Sequence, residues 1–171
     1  AGQVLTQARA FAAHLQGMGV GPGVRVAIVM SNQSRWPITA MAVFLAGGVL
    51  VPLDYKLTGE EQAALIAHSG AAVVVIEYGE WRKHDGLVGP KVVVSEAPEP
   101  LNGATRWEDH DEAGVPVRHA PGELACIVYS SGTGGRPKGC MLSHRAYIAQ
   151  LDALLDRFPM APGDRYFSIL P

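Results

Sequence analysis

The residues best suited to chemistry lie together in IVYSSGTGGRPKGCMLSH, from Ile127 to His144. Gly132, Gly134 and Gly135 sit among the hydroxyls of Ser130, Ser131 and Thr133, with Lys138 and Gly139 just beyond. Glycine tolerates positive φ and lets another group approach the backbone closely. A run of such residues can turn successive N–H groups inward as a concave nest for an anion. Hydroxyls rotate to meet phosphate oxygens, and lysine brings a compact positive charge. Each part matches a polyphosphate. The same composition suits a solvated loop joining two elements, and residue types alone leave both readings open.

Residue order narrows the choice. A Walker loop needs Gly-Lys-Ser/Thr, whereas Lys138 lies between Pro137 and Gly139. The dinucleotide fingerprint begins with Gly132 and Gly134, but its third glycine would fall on Pro137. Neither pattern is present.

The elements around this stretch follow a strand–helix rhythm. Apolar residues at Val4, Ala8, Phe11, Leu15 and Met18 make one helical face, which GVGPG breaks. VRVAIVM (24–30) reads as a strand buried on both faces. A helix is expected from about Ser34 to Ala46, with Pro37 in its first turn. GGVLVPLD follows as a strand. Thr58 and Glu61 form a capping box opening a third helix. AAVVVIE, KVVVSE and LACIVYS supply further strands, and HRAYIAQLDALLDRF has helical spacing, with Tyr147, Leu151 and Leu154 on one side. The implied class is α/β, a mostly parallel sheet flanked by helices. Residues 1–95 form a first α/β unit and 96–123 an irregular connection. Residues 124–171 hold the phosphate-loop strand, the loop, a helix and the start of another strand.

With 171 residues, 48% hydrophobic and 18% charged, the chain can build a core without staples. A formal net charge of −2 gives no footprint for nucleic acid or an anionic membrane. No apolar run is long enough to span a bilayer, and a cytoplasmic protein is expected. Of the two cysteines, Cys126 lies in an apolar run and reads as a small buried hydrophobe. Cys140 and His144 look like half a zinc site, but no second pair at ligand spacing exists, so no metal site is expected. The remaining histidines read as surface residues. The chain stops on an apolar strand, which is expected to leave a sheet edge open to self-association or to be covered by further polypeptide.

YSSGTGGRPKGCMLSH resembles the signature of the adenylate-forming, AMP-binding enzymes: acyl-CoA synthetases, firefly luciferase and peptide-synthetase adenylation domains. Their usual form is Tyr-Thr-Ser-Gly-Thr-Thr-Gly-x-Pro-Lys-Gly, then apolar residues and Ser/Thr-His. Tyr129, Ser131, Gly132, Thr133, Gly135, Pro137, Lys138, Gly139, Ser143 and His144 all fall in place. GVGPGVRVAIVMSNQSRW, AVFLAGGVLVPLDYKLTGEEQAALIAHSGAAVVV and PGDRYFSILP resemble further stretches of the family. VPLDYKLTGEEQAALIAHSGA and SILP lean toward fatty acyl-CoA synthetases. Gly134 replaces a usual Thr, Ser130 replaces another, and Val24 stands where Asp is common.

The resemblance implies an ATP-dependent carboxylic acid:CoA ligase that forms an acyl-adenylate and then an acyl-thioester. Its cofactors would be ATP, Mg²⁺ and coenzyme A, and its partner a carboxylic acid, with a fatty acid favoured. Ser130, Ser131, Gly132, Thr133, Gly134, Gly135 and Lys138 would hold the polyphosphate. No catalytic residue is assigned within the chain, and His144 reads as a helix-start residue. The family's adenine and ribose contacts, hinge, catalytic lysine, small C-terminal domain and coenzyme A site are expected beyond Pro171. The chain alone is therefore expected to be an inactive N-terminal portion. The alternatives are a fragment of a peptide-synthetase adenylation domain and a non-catalytic nucleotide-binding module.

Overall fold

RVAIV, VLVPL, VVVIE and KVVVS are dominated by β-branched and other apolar residues, which a strand can bury on both faces only between two helical layers. The computed structural model, which describes residues 2–84, 87, 89–98, 101, 103–109, 115–130, 137–161 and 163–164, has that arrangement. Its elements are α1 (Gly2–Gly17), β1 (Arg25–Val29), α2 (Arg35–Ala46), β2 (Val49–Leu53), α3 (Gly59–Ser69) and β3 (Val73–Glu77). They continue with α4 (Tyr78–Trp81), β4 (Lys91–Ser95), β5 (Ala104–Arg106), β6 (Leu124–Ser130), β7 (Lys138–Ser143) and α5 (His144–Arg157). The seven strands form one sheet in the order β5-β4-β3-β1-β2-β6-β7. All neighbours are parallel except β6 and β7.

Strand alternation sorts the core into two layers. Val26 and Ile28 of β1, Leu50 of β2, Val73 and Val75 of β3 and Cys126 of β6 face α1 and α2. Ala27, Val29, Val51, Val74, Ile76 and Ile127 face the side of α3. Phe11 of α1 is fully buried and packs on Trp107 with ring centroids 5.2 Å apart. The Trp107 indole N–H donates to Thr39 Oγ1 on α2 at 2.9 Å. Trp107 follows β5, a three-residue strand within the connection read from sequence as irregular. That strand is parallel to β4, with Val92, Val93 and Val94 opposite Ala104, Thr105 and Arg106.

The helix ends follow their local chemistry. Pro37 lies in the first turn of α2, where its missing N–H has no intrahelical partner to lose. Gly47 ends that helix at φ 93°, a left-handed conformation that glycine adopts without a Cβ penalty. Thr58 and Glu61 form the expected capping box: Glu61 N–H donates to Thr58 Oγ1 and Thr58 N–H to Glu61 Oε2. Those bonds from Thr58, backbone first, hold the Glu61 carboxyl below its ordinary pKa. Gln62, in the next turn, is fully buried, and its amide donates to the Tyr55 and Leu57 carbonyls and to Glu80. His84 closes this network at 2.9 Å from Gln62 Oε1, so it is a tertiary link rather than a surface histidine.

Among the described residues, Phe11 is the largest fully buried side chain, and it joins α1 to the Trp107 segment. Phe11→Ala is expected to destabilise the fold by about 3–5 kcal/mol. The check is a urea unfolding curve, whose midpoint should fall at unchanged slope.

Candidate functional site

Ser130 and Lys138 are the two predicted site residues that the structure describes. Ser130 ends β6, Lys138 begins β7, and the two are cross-strand partners with both side chains exposed. The sequence reading did not separate 138–143 as a strand. The structure makes it the second arm of a hairpin, with Tyr129 opposite Gly139 and Val128 opposite Cys140. Ser131, Gly132, Thr133, Gly134 and Gly135 lie outside the described residues. The pairing of Ser130 with Lys138 brings a hydroxyl and an ammonium to the two stems of that segment. That donor set suits phosphate oxygens.

Gly139 is set by close approach. A Cβ there would lie 3.0 Å from Ile127 Cγ2 and 3.5 Å from the Tyr129 ring. The Tyr129 ring therefore covers the gap that the absent side chain leaves. Its hydroxyl shares a 2.8 Å hydrogen bond with His68 Nδ1, and the two rings meet edge to face. Burial pushes the Tyr129 pKa up, with Arg25 opposing, so the phenol stays protonated at neutral pH.

The hairpin borders a crevice at the carboxyl ends of β1 and β2. The connection from β1 leads to α2 on one face, and that from β2 to α3 on the other. Parallel sheets open a ligand crevice where adjacent connections diverge in this way. This one has a volume of about 310 Å³, and Asn32, Trp36, Leu53, Asp54, Lys56 and Val128 contribute to its walls. Glu77, at the end of β3, accepts from the Ser31 N–H, the Ser31 hydroxyl and the Gln33 amide, at 2.9, 2.7 and 3.0 Å, and so holds the segment on either side of Asn32.

Behind the hairpin, Ser143 caps α5 by accepting from the Ala146 N–H at 3.3 Å. His144 is the first residue of that helix, as its helix-start reading expects. Its ring stacks on His119 with centroids 4.0 Å apart and meets Phe44 edge-on. Tyr147 also packs on Phe44 and hydrogen-bonds the Cys126 side chain. Burial and the Cys126 neighbour push its pKa up to about 12. Cys126 is fully buried, and burial raises its thiol pKa, so it packs as a small apolar group. Leu151 and Leu154, expected on the same side of the helix as Tyr147, are exposed. Cys126 and Cys140 are both free thiols. Among the described residues, no group of three or more His, Cys, Asp or Glu could hold a metal ion.

The AMP-binding enzyme family model matches residues 2–171. The chain belongs to that family. Its relatives of this AMP-binding kind include nonribosomal peptide synthetase 7 of Gibberella zeae, 36% identical over 160 residues. That match covers 88% of the chain and 3% of the synthetase. ATP-bound MatB of Rhodopseudomonas palustris superposes with a TM-score of 0.81 at 28% identity, over 94% of the chain and 33% of MatB. A provisionally assigned long-chain-fatty-acid CoA ligase of the same organism has the same fold, with a TM-score of 0.82 at 24% identity. It matches over 94% of the chain and 42% of its own length. The chain thus spans under half the length of each of these proteins. No described helix is long and apolar enough to cross a membrane.

His144 gives a pH prediction. Burial, then the neighbouring His119, hold its pKa below the ordinary 6.5, with Glu123 opposing. Below that value the unfolded chain binds a proton that the folded His144 resists. Stability is therefore present above about pH 6.5 and falls as the pH drops through the lower folded value. The urea midpoint should fall between about pH 7 and pH 5, and less steeply in His144→Phe. An equal slope in the variant would remove His144 as a cause.

Proposed function

We propose that the AMP-binding chain contributes the phosphate-gripping part of an enzyme that activates a carboxylic acid with ATP. The observation that carries this is the pairing of Ser130 with Lys138 across the β6–β7 hairpin, in a family-matched chain. Ser130, Ser131, Thr133 and the amides of Gly132, Gly134 and Gly135 would hold the polyphosphate, and Lys138 would neutralise charge on it. Positioning and charge neutralisation are the main contributions a protein makes to displacement at phosphorus. Mg²⁺ would arrive with the nucleotide and supply further positive charge for its phosphates. The acid carboxylate would attack the α-phosphate with loss of pyrophosphate, and a thiol would then take the acyl group from the acyl-adenylate with release of AMP.

We take that thiol to be coenzyme A and the acid to be a fatty acid. The segment VPLDYKLTGEEQAALIAHSGA supports a CoA ligase, and the likeness to ATP-bound MatB at 28% identity supports ATP as the nucleotide. The 36% identity to nonribosomal peptide synthetase 7 supports a second reading, activation of an amino acid. Free thiols at Cys126 and Cys140 suit the reducing cytoplasm. Catalysis would need the further polypeptide that the longer relatives possess, so these residues alone would be inactive.

The test is ATP–pyrophosphate exchange by the full-length polypeptide with fatty, aryl and amino acids. Exchange with a fatty acid, followed by thioester formation on coenzyme A, is the expected result. Exchange with amino acids alone would favour the second reading, and none with any acid would refute ATP activation. Lys138→Ala should raise KM for ATP roughly ten- to hundredfold, the range for losing a hydrogen bond to a charged group.

A further inference from the structure

We propose that His68 is a positioning residue for the phosphate loop, acting through Tyr129. The inference rests on the ATP reading above. Its structural basis is how weakly the main chain anchors the tip of the β6–β7 hairpin. Among the described residues, β6 pairs with β2 at one position, Leu50 with Cys126. Beyond it, residues 127–130 have ladder partners only on β7, the last strand on that side among the described residues. Side chains must therefore fix the tip against the rest of the domain.

Three candidates point from that part of β6. Ile127 is buried in the α3-side core, Val128 lies at the crevice, and Tyr129 reaches His68. The first two contacts are apolar and leave direction loosely defined. The third is directional: a 2.8 Å hydrogen bond between the Tyr129 hydroxyl and His68 Nδ1, with ring centroids 5.7 Å apart at 70°.

His68 stands on a fixed post. It lies in the last turn of α3, beside buried Ile66 and Ser69. The Ser69 hydroxyl donates to the Ile66 carbonyl at 2.8 Å, and the Arg25 guanidinium donates to the Ser69 carbonyl at 2.6 Å. The helix end is thereby tied to β1. Tyr129 in turn lies over Gly139 and immediately precedes Ser130, whose partner is Lys138. A rotation of Tyr129 would carry both stems of the loop with it. The contact spans 61 residues of sequence, so no local feature of α3 announces it.

The experiment uses the full-length polypeptide with His68→Ala, Tyr129→Phe, the double variant and His68→Asn, whose amide can still meet the hydroxyl. KM for MgATP is expected to rise about two- to tenfold in each broken single variant. KM for the acid and kcat should stay within about twofold, because the link orients the ATP-binding loop without touching the reacting atoms. The double variant should match the singles, and His68→Asn should recover most of the affinity. Hydrogen exchange of the nucleotide-free protein provides a second readout: amides of 127–130 and 138–141 should exchange faster in His68→Ala, with β1 and β3 unchanged. Wild-type exchange rates in that hairpin, or fully additive KM effects, would overturn the proposal. If the wild-type protein shows no ATP–pyrophosphate exchange, the functional reading falls, and faster hairpin exchange alone upholds the His68 link.

Discussion

Burial of β1 on both faces is the constraint from which the rest of the structure follows. Val26 and Ile28 need the α1–α2 layer, while Ala27 and Val29 need the α3 layer, and all four are fully shielded from water. A strand in that position satisfies its polar backbone through neighbours on both sides, here β2 and β3 in parallel. Parallel neighbours need a crossover connection, which is usually a helix. The connections from β1 and β2 then lead to helices on opposite faces, and their divergence opens the crevice at the carboxyl edge. A site at that edge is thus a consequence of burying the core twice.

The β6–β7 hairpin adds a different geometry to the same edge. An antiparallel pair can be joined by a short connection, and its ladder sets the distance between the two ends of that connection. Ser130 and Lys138 consequently face one another. Gly139 lets the Tyr129 ring approach β7 closely, and Tyr129 reaches His68 of α3. The affinity proposed for this edge depends on pre-organisation: donors already in place need less ordering when the nucleotide binds.

Elements with strong local signals were legible in the sequence. VVVIE and RVAIV read as strands because β-branched runs suit two-sided burial, and Thr58 with Glu61 marked a helix start through complementary hydrogen bonds. β5 was not legible, since Ala104, Thr105 and Arg106 form a strand only because β4 offers an open edge. β7 was masked by Gly139 and by polar and sulfur-bearing residues that follow Pro137, and its strand character comes from pairing with β6. The exposure of Leu151 and Leu154 likewise depends on what packs against α5, which helical spacing does not reveal. At the site, residue types allowed a phosphate binder and the family resemblance of the segment pointed to one, with Ser130 and Lys138 in view. His68 carried no such signal, because its role arises from a long-range contact.

The central claim is that the hairpin stems grip the phosphates of ATP. Hydrogen–deuterium exchange of the full-length polypeptide, with and without saturating MgATP, tests it most directly. The account predicts slowed exchange concentrated in peptides spanning 127–141. Saturable MgATP binding that slows exchange elsewhere and leaves those peptides unchanged would contradict it.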